Sequence, residues 1–177
     1  MNFVSRLSIT PRKNDLVWVI VDRLTKSAHF IPVEVNMSSD VLTEMYIREV
    51  IRLHAVPTSI VSDRDLKFTS RFWKSQQKAL GTRLNLSTAF HPQTDGQSER
   101  VIQILEDMLR ACVIDFGKNW EKSIPLVEFS NNNSYQTSIQ MAPFEALYGR
   151  KCRTPLCWSK LGEKKVLGPQ MIQDTEK

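Results

Sequence analysis

Apolar positions along the chain alternate between two periods, and the changes of period divide it into elements. Met1-Asn-Phe-Val4 reads as a short strand, followed by a polar loop with Pro11 and Arg12-Lys13. Leu16-Val-Trp-Val-Ile-Val21 is almost unbroken in β-branched and apolar residues, the pattern of a central strand covered on both faces. A polar turn over 22–27 leads to an antiparallel return over Ala28 to Val35. From Ser38 or Ser39 the period becomes helical, with Leu42, Met45, Tyr46, Val50 and Leu53 as the buried stripe and Val56-Pro57 as its end. Thr58 to Asp63 is a short buried strand that delivers Asp63 at its tip, with Arg64 and Asp65 turning away. Thr69 or Ser70 starts a second helix, with Phe72, Trp73 and Leu80 inward and Gly81 at its C-terminal turn. Arg83 to Ser87 alternates, with Leu84 and Leu86 on one face.

The stretch from His91 to Arg100 is a loop punctuated by Pro92 and Gly96. Thr94-x-x-Gln97 fits a capping box, and Val101, Ile102, Leu105, Met108, Leu109 and Cys112 then recur at helical spacing. Glu99 falls in the first turn of that helix, aimed back at the preceding loop, although the helix macrodipole alone also favours an acid there. Residues 119–135 are expected to be helical, begun again at Pro125, and Pro143 opens a short helix that Gly149 closes. Residues 1–150 therefore form one domain and 151–177, Lys-, Gly- and Pro-rich without periodicity, a linker or tail. Strands first, then strands alternating with helices, predict an α/β domain whose mixed sheet carries helices on its faces.

Composition changes this picture little. The chain has 177 residues, 41% of them hydrophobic and 24% charged, which suits one globular domain. A net charge of +5 is compatible with a polyanionic partner without identifying one. Three cysteines argue against a disulfide framework, and Cys152 and Cys157 lack further ligands at zinc spacing. The expectation is reduced thiols in an intracellular protein, nuclear or cytoplasmic, with no membrane-spanning run and no signal peptide.

The candidate chemistry lies in two acids, Asp63 at a strand end and Glu99 at a helix start, with thirty-five residues between them. Around them stand Val21-Asp-Arg-Leu-Thr-Lys-Ser-Ala-His-Phe30, Val61-Ser-Asp-Arg-Asp65, Phe90-His-Pro-Gln-Thr-Asp-Gly-Gln-Ser-Glu-Arg100 and Ala142-Pro-Phe-Glu-Ala-Leu-Tyr-Gly-Arg150. In these blocks and their order the chain resembles the catalytic core of retroviral-type integrases, and among them the plant-like integrases of gypsy-type LTR retrotransposons. The resemblance implies an RNase H-like fold, a mixed central sheet with helices on both faces, in which acids at strand ends and one helix start meet. It also implies DNA strand transfer with Mg²⁺ or Mn²⁺ as cofactor, retroelement ends and target DNA as partners, and a homo-oligomer away from any membrane. A core cut at both ends from a longer polyprotein is expected, without the zinc module before it or the small domain after it.

Phosphoryl transfer of this kind uses two divalent ions about 4 Å apart, held by a few carboxylates, substrate phosphate and water. Asp63 and Glu99 match the second and third acids of the family. The first acid lies in a strand reading Met-Asp-Phe, and here the matching residues are Met1-Asn2-Phe3. Asn2 keeps the size and one carbonyl oxygen of Asp but not its charge, so a copy with little or no activity is expected. Asp22 reads as a turn residue bonded to backbone, Asp65 as solvated or paired with an Arg, and Asp95 as serving the loop. Arg64, Lys67, Arg71 and Arg100 flank the acids and could meet phosphates, and His91 either contacts DNA or is held by the backbone. The tryptophans read as core anchors. The alternative function is a non-catalytic nucleic-acid-binding or interaction module derived from such a core; a hybrid-cutting ribonuclease fits the motif blocks less well.

Overall fold

A computed structural model describes residues 1–5, 7–86, 101–108 and 119–152. Strand β1 (Asn2–Val4) pairs antiparallel with β2 (Leu16–Val21), placing Asn2 opposite Val19 and Val4 opposite Val17. β2 pairs along its whole length with β3 (Ala28–Val33), two residues shorter than expected. Helix α1 (Ser39–Tyr46) is capped by the Ser38 hydroxyl, which accepts from the Val41 N–H, and continues through a π-helical turn, Ile47–Ile51, into α2 (Arg52–His54). Strand β4 (Ser59–Ser62) follows, then α3 (Leu66–Thr69) and α4 (Arg71–Ala79), the latter capped by Ser70. β5 (Arg83–Leu86) lies parallel to β4. Residues 101–108 form α5, a 3₁₀ turn over Trp120–Ser123 leads into α6 (Ile124–Asn133), and α7 is Pro143–Tyr148. Pro125 and Pro143 occupy first-turn positions, where a missing N–H costs nothing.

The antiparallel trio and the parallel pair meet at Met1. Its ammonium donates to the Val61 carbonyl at 2.6 Å, and the Asp63 N–H donates to the Met1 carbonyl at 3.4 Å. One residue bonded to positions j−1 and j+1 of its neighbour is the parallel pattern. Met1 thus stands opposite Ser62 and Asn2 beside Asp63, and the strand order becomes β3-β2-β1-β4-β5.

Each face of this sheet has its own core. On one, Leu16, Trp18 and Ile20 of β2 pack with Leu42, Tyr46, Phe68 and Trp73 from α1, α3 and α4. On the other, Val4, Val17 and Val19 pack with Val101, Leu105, Trp120, Ile124 and Val127 from α5, the 3₁₀ turn and α6. β2 is covered on both faces, and Trp18, Trp73 and Trp120 are core residues, as expected.

Several expectations need correction. Leu53 is 50% exposed, because the π turn inserts a residue and rotates the apolar stripe before it reaches position 53. Phe72 is 38% exposed; α4 buries Trp73 and Gln77, four residues apart on one face. Gln77 is fully buried, and neither amide atom has a hydrogen-bond partner among the described residues. Leaving such a group unsatisfied costs about 1–3 kcal/mol. Gln77→Met, similar in length and without the amide, is expected to raise unfolding free energy by about 1–2 kcal/mol. A lowered urea midpoint would show that the amide has a partner. Leu109, Cys112 and most of the expected tail lie outside the described residues.

Candidate active site

Asn2 lies opposite Val19, whose side chain belongs to the core under α5, so Asn2 faces α5 as well. Asp63, beside it in parallel register, extends the same row. Asn2 is 8% exposed, and its Oδ1 is buried with no hydrogen-bond partner among the described residues. An unbonded buried carbonyl oxygen costs stability and calls for a partner of opposite polarity.

Asp63 is half-buried, and one of its carboxylate oxygens accepts the Asp65 N–H at 3.1 Å. Asp65, expected to be solvated or paired with an Arg, instead caps α3: its carboxylate accepts the Lys67 N–H at 2.8 Å. The chain thus turns away sharply after Asp63. Three aromatic contacts hold the seam on the opposite face. Phe3 stacks on Phe68 of α3 with centroids 4.8 Å apart, and both contact Trp18.

Arg64 is exposed beside Asp63. Lys67 is half-buried, and its ammonium donates to the Val35 carbonyl. Asp22 is the expected turn residue: it accepts from the Leu24 and Thr25 N–H groups and from the Thr25 hydroxyl. Burial pushes its carboxyl upward, but these hydrogen bonds and nearby His54 together hold it below the usual carboxylate range. Glu99, His91, Asp95 and Arg100 lie outside the described residues. Among the described residues, no group of three or more His, Cys, Asp or Glu side chains could hold a metal ion.

A second polar cluster went unnoticed in the sequence. His54 Nε2 stands 2.7 Å from His29 Nε2, and His29 Nδ1 stands 3.2 Å from Glu128 Oε1. The other Glu128 oxygen accepts the Phe30 N–H at 2.8 Å, and four residues along α6 the Asn132 amide bonds both the N–H and the C=O of Ala28. α6 thereby satisfies the outer edge of β3 with side chains. The available signal was Glu128 and Asn132 at helical i, i+4 spacing, but nothing local pointed to β3 as their target.

The sheet order and two-sided helical covering define the class: the fold is the RNase H-like fold of integrase catalytic cores. The integrase in the simian T-cell lymphotropic virus intasome, solved in complex with PP2A regulatory subunit B56 gamma, superposes with a TM-score of 0.66 over 88% of this chain and 60% of that one, at 16% identity. The HTLV-2 integrase catalytic core domain, solved in complex with magnesium in a trimeric form, gives 0.62 over 83% and 95%, at 13% identity. No family model matches the chain. In sequence, 148 residues are 33% identical to the Transposon Tf2-3 polyprotein of Schizosaccharomyces pombe, covering 84% of this chain and 11% of the polyprotein. The chain is homologous to these retrotransposon polyproteins, and spans about a tenth of the length of the one compared. Among the described residues, no helix is long and apolar enough to cross a membrane.

Proposed function

We propose that the chain is the catalytic core of a gypsy-type retroelement integrase, over residues 1–150, acting on DNA ends and target DNA. Its site would consist of Asn2, Asp63 and Glu99, with Asp63 and Glu99 as the charged metal ligands. The observation that carries this reading is the seam at Met1, which sets Asn2 next to Asp63 with the Asn2 Oδ1 buried and unbonded.

That donor set suits a hard divalent cation. A carbonyl oxygen and a carboxylate are the ligand types Mg²⁺ and Mn²⁺ take, and water would complete the shell. When bound, such an ion polarises a phosphoryl oxygen and favours a deprotonated attacking oxygen. Asp63, turned by the Asp65 N–H and steadied by the α3 cap, supplies the charge and fixes the ligand direction. Asn2 supplies an oxygen without charge, so this copy would hold metal weakly and turn over slowly. Arg64, Lys67, His91 and Arg100 would lie along the phosphate backbone, with Lys67 keeping two ammonium donors after its bond to Val35. Asn2 also favours the second reading, a core retained for DNA binding without turnover.

Joining of retroelement-end DNA in Mg²⁺ separates the two readings, and binding tests what they share. Arg64, Lys67 and Arg100 carry permanent charge, and three neutralised phosphates give a log–log salt slope of about −2.7 for duplex DNA. Affinity is then expected to fall roughly fortyfold between about 50 and 200 mM salt, with little dependence on sequence. An affinity unchanged by salt would remove phosphate contacts, and this site, from the account.

A further inference from the structure

The His29–His54–Glu128 cluster joins three elements, β3, α2 and α6, adding the end of α2 to the contact that Glu128 and Asn132 already make between α6 and β3. The proton positions follow from the acceptors. Glu128 is a carboxylate, so His29 carries its proton on Nδ1 and leaves Nε2 as an acceptor. His54 must then donate from Nε2, and the chain of bonds runs His54 to His29 to Glu128. One added proton can be accommodated, with His29 charged against Glu128 and His54 switched to the tautomer that accepts at Nε2. A second cannot: two N–H groups would face each other across 2.7 Å, with two positive charges in contact.

We propose that His29 and His54 form a proton-sharing clamp that holds the end of α2 on β3 and α6, and that a second proton releases it. The surroundings show what release would move. The pair lies on the wall of an open groove of about 850 Å³, bounded on one side by β3 and α6 and on the other by Met45, Arg48 and Glu49 of the α1–π helix. The residue after His54, Ala55, has φ 65° and ψ −177°, a region occupied almost only by glycine. The end of α2 is therefore held in a strained backbone conformation beside the clamp, and opening the clamp gives that strain a way to relax.

The charged neighbours set the order of events. Asp22 and Glu128 both bring negative charge toward His54, whereas burial and His29 act in the opposite sense and hold its pKa below the ordinary histidine value. Arg48 pairs with Glu49 at 2.6 Å and Arg12 with Glu121 at 3.2 Å, so the other charges lining the groove are compensated locally. With a folded-state pKa below that of the unfolded chain, His54 contributes stability that is fully present above about pH 6.5. That contribution is lost as pH falls through the lowered value.

The test is a pH series on the whole chain, with a chelator present, by histidine-side-chain NMR and backbone hydrogen exchange. The chain has 3 histidines, so the two signals are readily assigned. At high pH, His29 should show the Nδ1–H tautomer and His54 the Nε2–H tautomer. His54 should then titrate below the ordinary histidine value, and protection at 52–56, taken relative to the intrinsic exchange rate at each pH, should fall by at most about tenfold per pH unit across that step. His54→Gln keeps a neutral amide donor to His29 and should abolish the pH response while retaining protection at neutral pH. Ala55→Gly, which relieves the strained φ, should move release to lower pH. A His54 titration at the ordinary value, with protection at 52–56 indifferent to pH, would overturn the clamp. A pH response that survives in His54→Gln would overturn it equally.

Discussion

Asp in place of Asn2, in a chain extended upstream of Met1, is expected to raise divalent-metal affinity and to permit DNA strand cleavage or joining. A unit charge about 4 Å from a cation is worth on the order of 4 kcal/mol at an effective dielectric near 20, or roughly a thousandfold if fully expressed. The extension matters because Met1 is the seam between the two parts of the sheet. A peptide N–H there would keep the bond to the Val61 carbonyl without the charge of an ammonium. It would also lengthen β1 and reduce fraying around residue 2. Four forms decide the matter, with and without the extension, each carrying Asn or Asp at position 2. Without metal, Asp at residue 2 sets a second carboxylate beside Asp63, so that form should be less stable in chelator and regain stability in Mg²⁺. Asn forms should lose no stability in chelator and should respond to Mg²⁺ far more weakly. If the extended Asp form folds yet stays inert, the defect lies elsewhere than residue 2. If the unmodified chain already joins DNA ends efficiently, Asn2 is no lesion.

How much of this was legible in the chain depends on the range of the signal. β2 was readable because burial on both faces writes an unbroken apolar run, and Leu16 to Val21 is one. The caps at Ser38 and Ser70 were readable because a hydroxyl before a helical period has one common use. That residues 2 and 63 would meet at one site was implied by resemblance alone, and their strand pairing was not foreseen, since register between strands sixty residues apart leaves no local mark. Leu53 and Phe72 were misassigned for a related reason. Periodicity assumes one uniform helix, and the π turn breaks that assumption upstream of Leu53. In α4 the buried face was read from hydrophobicity, whereas the structure buries Gln77 in line with Trp73. His29 and His54 stand in different elements, and no spacing rule connects a strand residue to a helix end. Glu99, the acid at the helix start, lies outside the described residues, and its meeting with Asp63 is a proposal.

Trp18→Ala is expected to destabilise the domain by about 3–5 kcal/mol, the range for removing a large buried aromatic ring. Trp18 is completely buried at the centre of β2 and contacts four rings: Phe3 and Phe68 at 5.9 Å, Tyr46 at 5.9 Å and Trp73 at 5.8 Å. Those partners come from β1, α3, α1 and α4, so one side chain holds all the elements on that face of the sheet. The indole N–H has no hydrogen-bond partner among the described residues, which separates packing from polarity. Trp18→Phe removes the unsatisfied donor along with part of the volume and should cost much less than Ala. Against a typical unfolding free energy of about 5–15 kcal/mol, the Ala form would stand near the edge of folding. Because Phe3 and Phe68 flank Asn2 and the turn after Asp63, the loss should reach the site before the domain unfolds. In urea titrations followed by circular dichroism, the midpoint should fall steeply for Ala and modestly for Phe. Equal losses in the two would assign the stabilisation to the indole N–H after all. No loss in either would mean that the ring cluster does not hold the sheet to its helices.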